Sequence, residues 1–321
     1  MKKQMTKNDI KIILVGFGSI GSRHYRNLKS LGFEDVSVYD VVMEHVPADI
    51  KTVSILDSKT LKNFDVAFIC NPTSDHLKTA ALCAKAGCHL FIEKPLSNKL
   101  VGIAELQKIC QKNKLINMVG CNMRFHPCLD FVKKYIADGK LGKVWNIKVE
   151  YGQYLPYWRP SQDYRKNYSA KKNMGGGVAL DEIHEFDLLF WLNNFKKVLD
   201  YKLIKNKSSD LEIETEDQAT GVFLFENGLI GTVSCDYLSK RYRRNLAVIG
   251  EEGNLVWDWN VGKVFLENKE NSSSIFSLEN YDINDMYMKE MEYFFDCVAC
   301  KKETFNDIKK SESVLKFLLK K

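Results

Sequence analysis

The sequence predicts an α/β amino-terminal half on a doubly wound parallel sheet, followed by an α+β half with a large, mostly antiparallel sheet. Three observations carry that prediction. Residues 10–121 alternate continuous apolar runs with amphipathic stretches, the pattern of parallel strands buried on both faces with helices between them. From residue 198 to about 267, strand signals follow one another across tight turns. The length of 321 residues exceeds the span of one hydrophobic core, about 250–300 residues, so two domains are expected, 1–122 and 123–321.

In the first half the strand-like runs are 10–16, 35–40, 65–71, 89–93 and 117–121, and the amphipathic stretches are 20–31, 74–87 and 98–113. Gly32 and Gly87 stand where a helix ends on a left-handed residue. The pattern then changes to a helix at 127–139, a long strand at 143–154, an irregular segment at 155–177 and a helix at 181–194. Four to six strands are expected between 198 and 267, turning at Glu226-Asn227-Gly228, Glu252-Gly253-Asn254 and Asn260-Val261-Gly262. Helices at 283–300 and 308–320 close the chain and have room to pack back on the first domain.

Composition narrows the function classes. Apolar residues make up 45% and charged residues 27%, an ordinary globular mixture. No apolar run approaches the ~20 residues of a membrane helix, and polar Thr6–Asp9 follows the basic Met1-Lys2-Lys3-Gln4 where a leader would be apolar. A cytoplasmic protein is expected. The net charge of +6 comes mostly from Lys spread along the whole length, which is solvated surface rather than a nucleic-acid patch. Nine cysteines, most inside apolar runs, read as reduced core thiols. Cys297-x-x-Cys300 lacks the second pair or nearby His of a zinc site, so no metal is expected.

Gly16-Phe17-Gly18-Ser19-Ile20-Gly21 is a G-x-G-x-x-G directly after a strand run and opening a helix. Gly16 permits the tight turn, Gly18 lets backbone approach a pyrophosphate, and Gly21 lets helix and strand pack closely. The amides of Ser19 and Ile20 then face the phosphates at a positive helix end. Asp40 follows Gly21 by 19 residues, where a carboxylate accepts the adenine-ribose hydroxyls and repels a 2′-phosphate. NAD is therefore favoured over NADP. Asn71-Pro72-Thr73 ends the 65–71 run at the carboxyl edge, where Thr73 or Ser74 can cap the next helix. His76, in that helix's first turn, either reaches the cofactor or sits on the surface.

Glu93-Lys94-Pro95 ends the 89–93 run at the same rim. Hydride transfer needs a group that handles the hydroxyl proton, and a Lys held against the cofactor cation can polarise or protonate a carbonyl oxygen. Pro95 restricts the backbone at Lys94. Further on, Gly175-Gly176-Gly177 precedes Asp181, His184 and Asp187, which at helical spacing put an imidazole between two carboxylates on one face.

Together these motifs resemble the glucose–fructose oxidoreductase / inositol dehydrogenase (Gfo/Idh/MocA) family over essentially the whole chain. The matching features are the glycine motif with Arg23-His24 after it, Asn71-Pro72-Thr73 with His76, Glu93-Lys94-Pro95, and the triple glycine with Asp181, His184 and Asp187. The resemblance implies NAD-linked redox at a sugar or polyol hydroxyl, with Lys94 and His184 as the proton-handling pair and Glu93 beside the cofactor. It also implies a cis bond at Lys94-Pro95 and a homodimer or homotetramer formed through the carboxy-terminal sheet. The inositol dehydrogenase branch spaces its Asp and His as D-x-x-x-H. Asp181 and His184 read D-x-x-H, so His184 fits the base position while the role of Asp181 stays open.

The segment from Gln153 to Ala170, including Tyr154, Trp158, Arg159, Tyr164 and Arg165, is similar to a subgroup associated with bacterial surface-sugar biosynthesis. Its aromatic residues offer faces for sugar rings. Arg159, Arg165, Lys166, Lys171 and Lys172 against Asp163 suggest an anionic substrate, a nucleotide-linked or acidic sugar. Arg124 is a further candidate at the rim for cofactor or substrate, and Lys240–Arg244 is either a second grip or a charged strand end. Two other readings keep the same cofactor. One is transient oxidation in a glycoside hydrolase or epimerase. The other is a non-enzymatic sugar sensor, against which the presence of both Lys94 and His184 argues.

Overall fold

The computed structural model describes residues 7–320; Met1-Lys2-Lys3-Gln4 and Thr6, read above for a leader, lie outside them. The chain forms two compact units, one comprising residues through Asn122 with Ile283–Leu319, the other Met123–Asp282.

The first unit runs β1 (Ile12–Val15), α1 (Ser19–Ser30), β2 (Val36–Tyr39), α2 (Ser58–Leu61), β3 (Val66–Ile69), α3 (His76–Ala86), β4 (His89–Ile92), α4 (Ile103–Lys112) and β5 (Asn117–Val119). Its five strands are all parallel in the order β2-β1-β3-β4-β5. Every residue of β1 and β3 is buried, which is why these strands read as unbroken apolar runs rather than alternating ones. α3 stops at Gly87, whose φ of 102° is the left-handed cap the sequence calls for. Two helix starts differ from expectation. α3 begins after a 3-10 turn at Thr73–Asp75, and no side chain caps it, because Thr73 is buried in that turn. α4 begins five residues late, behind Gly102 at φ 99°.

The two closing helices, Asn284–Cys300 and Ile308–Leu319, belong to this unit, the former against α1 and the latter against α4 and β5. Phe295 stacks on Phe33, with ring centroids 4.0 Å apart. Asn306 covers the free edge of β5. Its carbonyl accepts from Val119 N at 2.9 Å and its amide donates to Val119 O at 2.7 Å.

The second unit runs α5 (Pro127–Ala137), β6 (Val144–Gly152), α6 (Leu155–Trp158), α7 (Val178–Asp181), α8 (Ile183–Leu192), β7 (Val198–Asn206), β8 (Gln218–Phe225), β9 (Ile230–Asp236), β10 (Arg243–Gly250), β11 (Gly253–Asp258), β12 (Lys263–Glu267) and β13 (Ser272–Ser277). The eight strands lie in the order β13-β12-β11-β10-β6-β9-β8-β7, antiparallel throughout except for the β6–β9 pair. β13 lies past the expected end of the strand region. Its Ser272-Ser273-Ser274 start has little strand preference of its own, and the ladder to β12 makes it a strand. β8 alternates as half-covered sheets do, with Phe223 and Phe225 under α8 and Val222 and Leu224 exposed. Phe190 of α8 meets both phenylalanines edge-on. Among the described residues no helix is long and apolar enough to cross a membrane. Eight cysteines are buried and Cys300 is exposed; burial lifts the Cys88 thiol to about 12.

Candidate active site

In the first unit the glycine motif forms the β1–α1 turn, and each glycine has its own reason. Gly16 has φ 97°, and a Cβ there would lie 2.5 Å from Asn71 N. A Cβ on Gly21 would lie 1.9 Å from Gly16 O, so helix and turn touch backbone to backbone. Around Gly18, by contrast, no atom of the described chain lies within 4 Å of that position. α1 starts there with no side-chain cap and no acidic residue in its first turn, which leaves the amides about Ser19 and Ile20 to an anion. Asp40, just after β2, leans back onto this turn. Its carboxylate accepts from Phe17 N at 2.5 Å and Val42 N at 2.8 Å. A bare helix end, an open Gly18 and a carboxylate at the tip of β2 fit a dinucleotide.

The rim continues at the ends of β3 and β4. Asn71 donates through its side chain to Thr79 Oγ1 at 2.8 Å. His76 is neither on the surface nor open toward a cofactor. It is 2% exposed, with Nδ1 2.8 Å from Pro95 O and Nε2 2.8 Å from Asn71 O, so it ties two rim segments together. Burial holds its pKa below the ordinary imidazole range despite those two carbonyls. Glu93 is also buried, and its Oε1 accepts from His24 Nε2 at 2.5 Å while Oε2 takes Lys94 N at 3.3 Å. Burial alone would raise the Glu93 carboxyl, but the His24 hydrogen bond and nearby positive charge outweigh it and hold the group low. Lys94 is half-buried, and its bond to Pro95 is cis.

In the second unit the expected single helix over 181–194 is broken. α7 ends at Asp181, Glu182 leaves helical geometry at φ −101° and ψ 39°, and α8 starts at Ile183. Asp181, His184 and Asp187 are therefore not three rungs of one helix. Asp181 ends in a nest of hydroxyls, with Tyr168 close against it, Ser169 Oγ at 2.6 Å and the Tyr237 hydroxyl at 2.9 Å. Burial, with Asp181 beside it, pushes the Tyr237 phenol well above its usual range. Gly176 lets this nest form, since a Cβ there would meet Tyr168 O at 2.1 Å. His184 sits in the first turn of α8, 8% exposed.

Other expectations for this unit change. Arg124 does not reach out as a ligand grip: its buried guanidinium pairs with Asp187 through two bonds of 2.7 and 2.6 Å and lies over Phe195. Arg244 is likewise drawn inward, with Nη2 2.6 Å from Glu182 and Nε 2.7 Å from Glu185. Burial works against its charge, and the two carboxylates more than offset that. It thus pins both sides of the helix break. The basic loop is partly neutralised, because Arg165 bonds Asp163 and Glu212 and Lys171 bonds Glu214. Tyr164 accepts from Glu212 N, and Tyr154 lies under Lys240. Trp158 packs edge-on against Tyr151 and Tyr237, and Arg159 is half-buried. Sequence reasoning missed Tyr237, which nothing local marks, because its partner Asp181 lies 56 residues away.

Two family models match the chain in succession: an oxidoreductase family with an NAD-binding Rossmann fold over residues 10–121, and the GFO/IDH/MocA C-terminal domain over residues 130–256. The chain is 26% identical over 301 residues to the myo-inositol 2-dehydrogenase of Thermotoga maritima, covering 89% of this chain and 82% of that protein. A levoglucosan dehydrogenase solved in complex with NADH shares the fold with TM-score 0.83 at 16% identity, over 97% of this chain and 95% of that one. The UDP-N-acetylglucosamine 3-dehydrogenase of Acidithiobacillus ferrooxidans does so with TM-score 0.78 at 18% identity, over 97% and 95% of the two chains. With the glycine cradle, Asp40 and the Glu93-Lys94-Pro95 rim in place, the chain belongs to the Gfo/Idh/MocA oxidoreductase family and carries its NAD-binding Rossmann domain.

Proposed function

We propose that this protein is an NAD-dependent dehydrogenase acting on a CH–OH group of a sugar or polyol. The observation that carries the reading is the placement of Lys94 at the carboxyl end of β4, held in the same unit as the open, uncapped glycine turn. Bound NAD supplies the hydride acceptor, or in the reverse direction NADH the donor. The Gly16–Gly21 turn holds the pyrophosphate and Asp40 the adenine ribose, with Asn71, Pro72 and Thr73 along the edge. The Lys94 amine donates a hydrogen bond to the substrate oxygen as the carbinol becomes a carbonyl, and the family resemblance gives His184 the role of base. Asp181 serves as an acceptor whose direction is set by Tyr168, Ser169 and Tyr237.

The finer reading is an activated, nucleotide-linked or acidic sugar of surface-polysaccharide synthesis. It draws support from Arg159, Lys166 and Lys172 in the same stretch of chain as Tyr154 and Trp158, and from the name of the Acidithiobacillus neighbour. Assembly through the carboxy-terminal sheet draws support from Ile204, Val222, Leu224 and Ile230, apolar residues exposed on β7, β8 and β9. The test is a panel of inositols, sugars and nucleotide sugars followed by NADH absorbance, with NAD and NADP in parallel. Turnover with NAD that Lys94→Met abolishes, while NADH still binds, is the expected result. Undiminished turnover in Lys94→Met overturns it.

A further inference from the structure

Lys94 has two neighbours in sequence, and each is held by a buried imidazole from a different helix. On one side is Glu93, whose carboxylate is bonded by His24 of α1 at 2.5 Å while its other oxygen accepts from Lys94 N. His24 is 0% exposed and wedged edge-on between Phe91 and Tyr287. Among the described residues its Nδ1 has no hydrogen-bond partner, so the ring's one polar tie is Nε2 to Glu93. On the other side is Pro95, whose carbonyl lies 2.8 Å from Nδ1 of His76 of α3, and Nε2 of the same ring reaches Asn71 O.

From this arrangement we infer that His24 and His76 are positioning residues for Lys94, one fixing the residue before it and the other the residue after it. The inference rests on the reading of Lys94 given above. A lysine carries its amine on four methylene groups, so backbone placement decides where that amine can go. The short end of β4 does not supply that placement, because Lys94 lies two residues past the last ladder position at Ile92. His24 bonds neither the glycine turn nor Asp40, whose carboxylate accepts from Phe17 N and Val42 N, whereas His76 also holds Asn71 O, on the segment packed against Gly16. Removing His24 should therefore loosen Lys94 and leave the dinucleotide cradle standing, and removing His76 should loosen Lys94 more than it disturbs the Asn71 edge.

The test uses the full chain carrying His24→Gln, His76→Gln or His76→Leu, beside the wild type and Lys94→Met. The first measurement is acetic anhydride labelling of Lys94, read by peptide mass spectrometry and normalised to surface Lys29. It is expected to run about three- to tenfold faster in the histidine variants. The second is NADH affinity by fluorescence titration, expected within twofold of wild type in His24→Gln and to change less than kcat in the His76 variants. The third is kcat and KM on whichever sugar the panel turns over. Here kcat is expected to fall at least tenfold in His76→Leu with KM little changed, and His76→Gln, which keeps one amide donor, recovers part of it. Wild-type labelling and kcat in all three variants overturn the inference, as does a loss that follows NADH affinity alone. If His76→Leu does not fold, the two Gln variants decide by the same criteria. Full activity in Lys94→Met instead sinks the reading of Lys94 itself, whatever the histidines do.

Discussion

Arg124 and Asp187 meet fork to fork, Nε to Oδ2 at 2.7 Å and Nη2 to Oδ1 at 2.6 Å, with the guanidinium side chain wholly buried. Taking away one member leaves the other charge stranded in the interior, which costs about 3–5 kcal/mol. Arg124→Leu should lose that much in urea unfolding. The double variant Arg124→Leu/Asp187→Leu should recover most of it, and a double variant no better than the single would show that the pair is not acting as a unit.

Gly18 and Gly21 should separate binding from folding. Nothing in the described chain crowds a Cβ at Gly18, so Gly18→Ala should shift stability by no more than about 0.5 kcal/mol. Its methyl would stand where the pyrophosphate approaches, and NADH affinity should fall at least about tenfold, or 1.4 kcal/mol. Gly21→Ala meets Gly16 O and should cost about 1–3 kcal/mol of stability as well. Thermal melts and NADH titrations on the two variants check both halves.

Asp40 should set the cofactor preference. Its carboxylate accepts from Phe17 N and Val42 N and presents a negative charge at the end of β2. Hydrogen bonds to a charged group are worth about 1.5–3 kcal/mol. Asp40→Ser should raise the NAD KM roughly ten- to hundredfold and the NADP KM far less, so that the NAD/NADP ratio of kcat/KM narrows.

His76 gives the first unit an acid-sensitive step. Its folded pKa lies below the ordinary value of about 6.5, chiefly through burial. As pH falls through that ordinary value the unfolded chain takes up the proton first, so stability drops until pH passes the folded value. Glu93, held low in the folded state, adds a second loss deeper in acid, as pH falls below the ordinary carboxylate range and through the folded value. Urea midpoints at pH 7.5, 6.5 and 5.5 should decline in the wild type. The decline should be smaller in His76→Gln, which has no proton to gain there, the remainder coming from His89, whose pKa burial also holds low.

The parallel sheet was legible because its strands, buried on both faces, leave unbroken apolar runs, and because Gly16 and Gly21 each meet a local steric demand. The hairpin at Asn227-Gly228 was legible for the same kind of reason, with Gly228 at φ 79°. What was misread lies where a partner distant in the chain decides. A charged side chain in a loop reads as available until the fold brings its counter-charge, as Glu212 does for Arg165 and Asp187 for Arg124. The unbroken helix over 181–194 failed likewise, since its break at Glu182 is held by Arg244, 62 residues on.

By itself the sequence determined the parallel sheet with its dinucleotide turn and most of the strand and helix positions, though neither β13 nor the helix break at Glu182. Those follow from periodicity and from backbone sterics within a few neighbouring residues. Only the tertiary structure decided which charges are spent inside the protein and which side chains are held in place. His76 reaching from α3 to Pro95, and Tyr237 reaching to Asp181, are bonds between segments whose nearness no local pattern encodes. Burial then makes such bonds obligatory, because a polar group taken from water must find its partner in the fold.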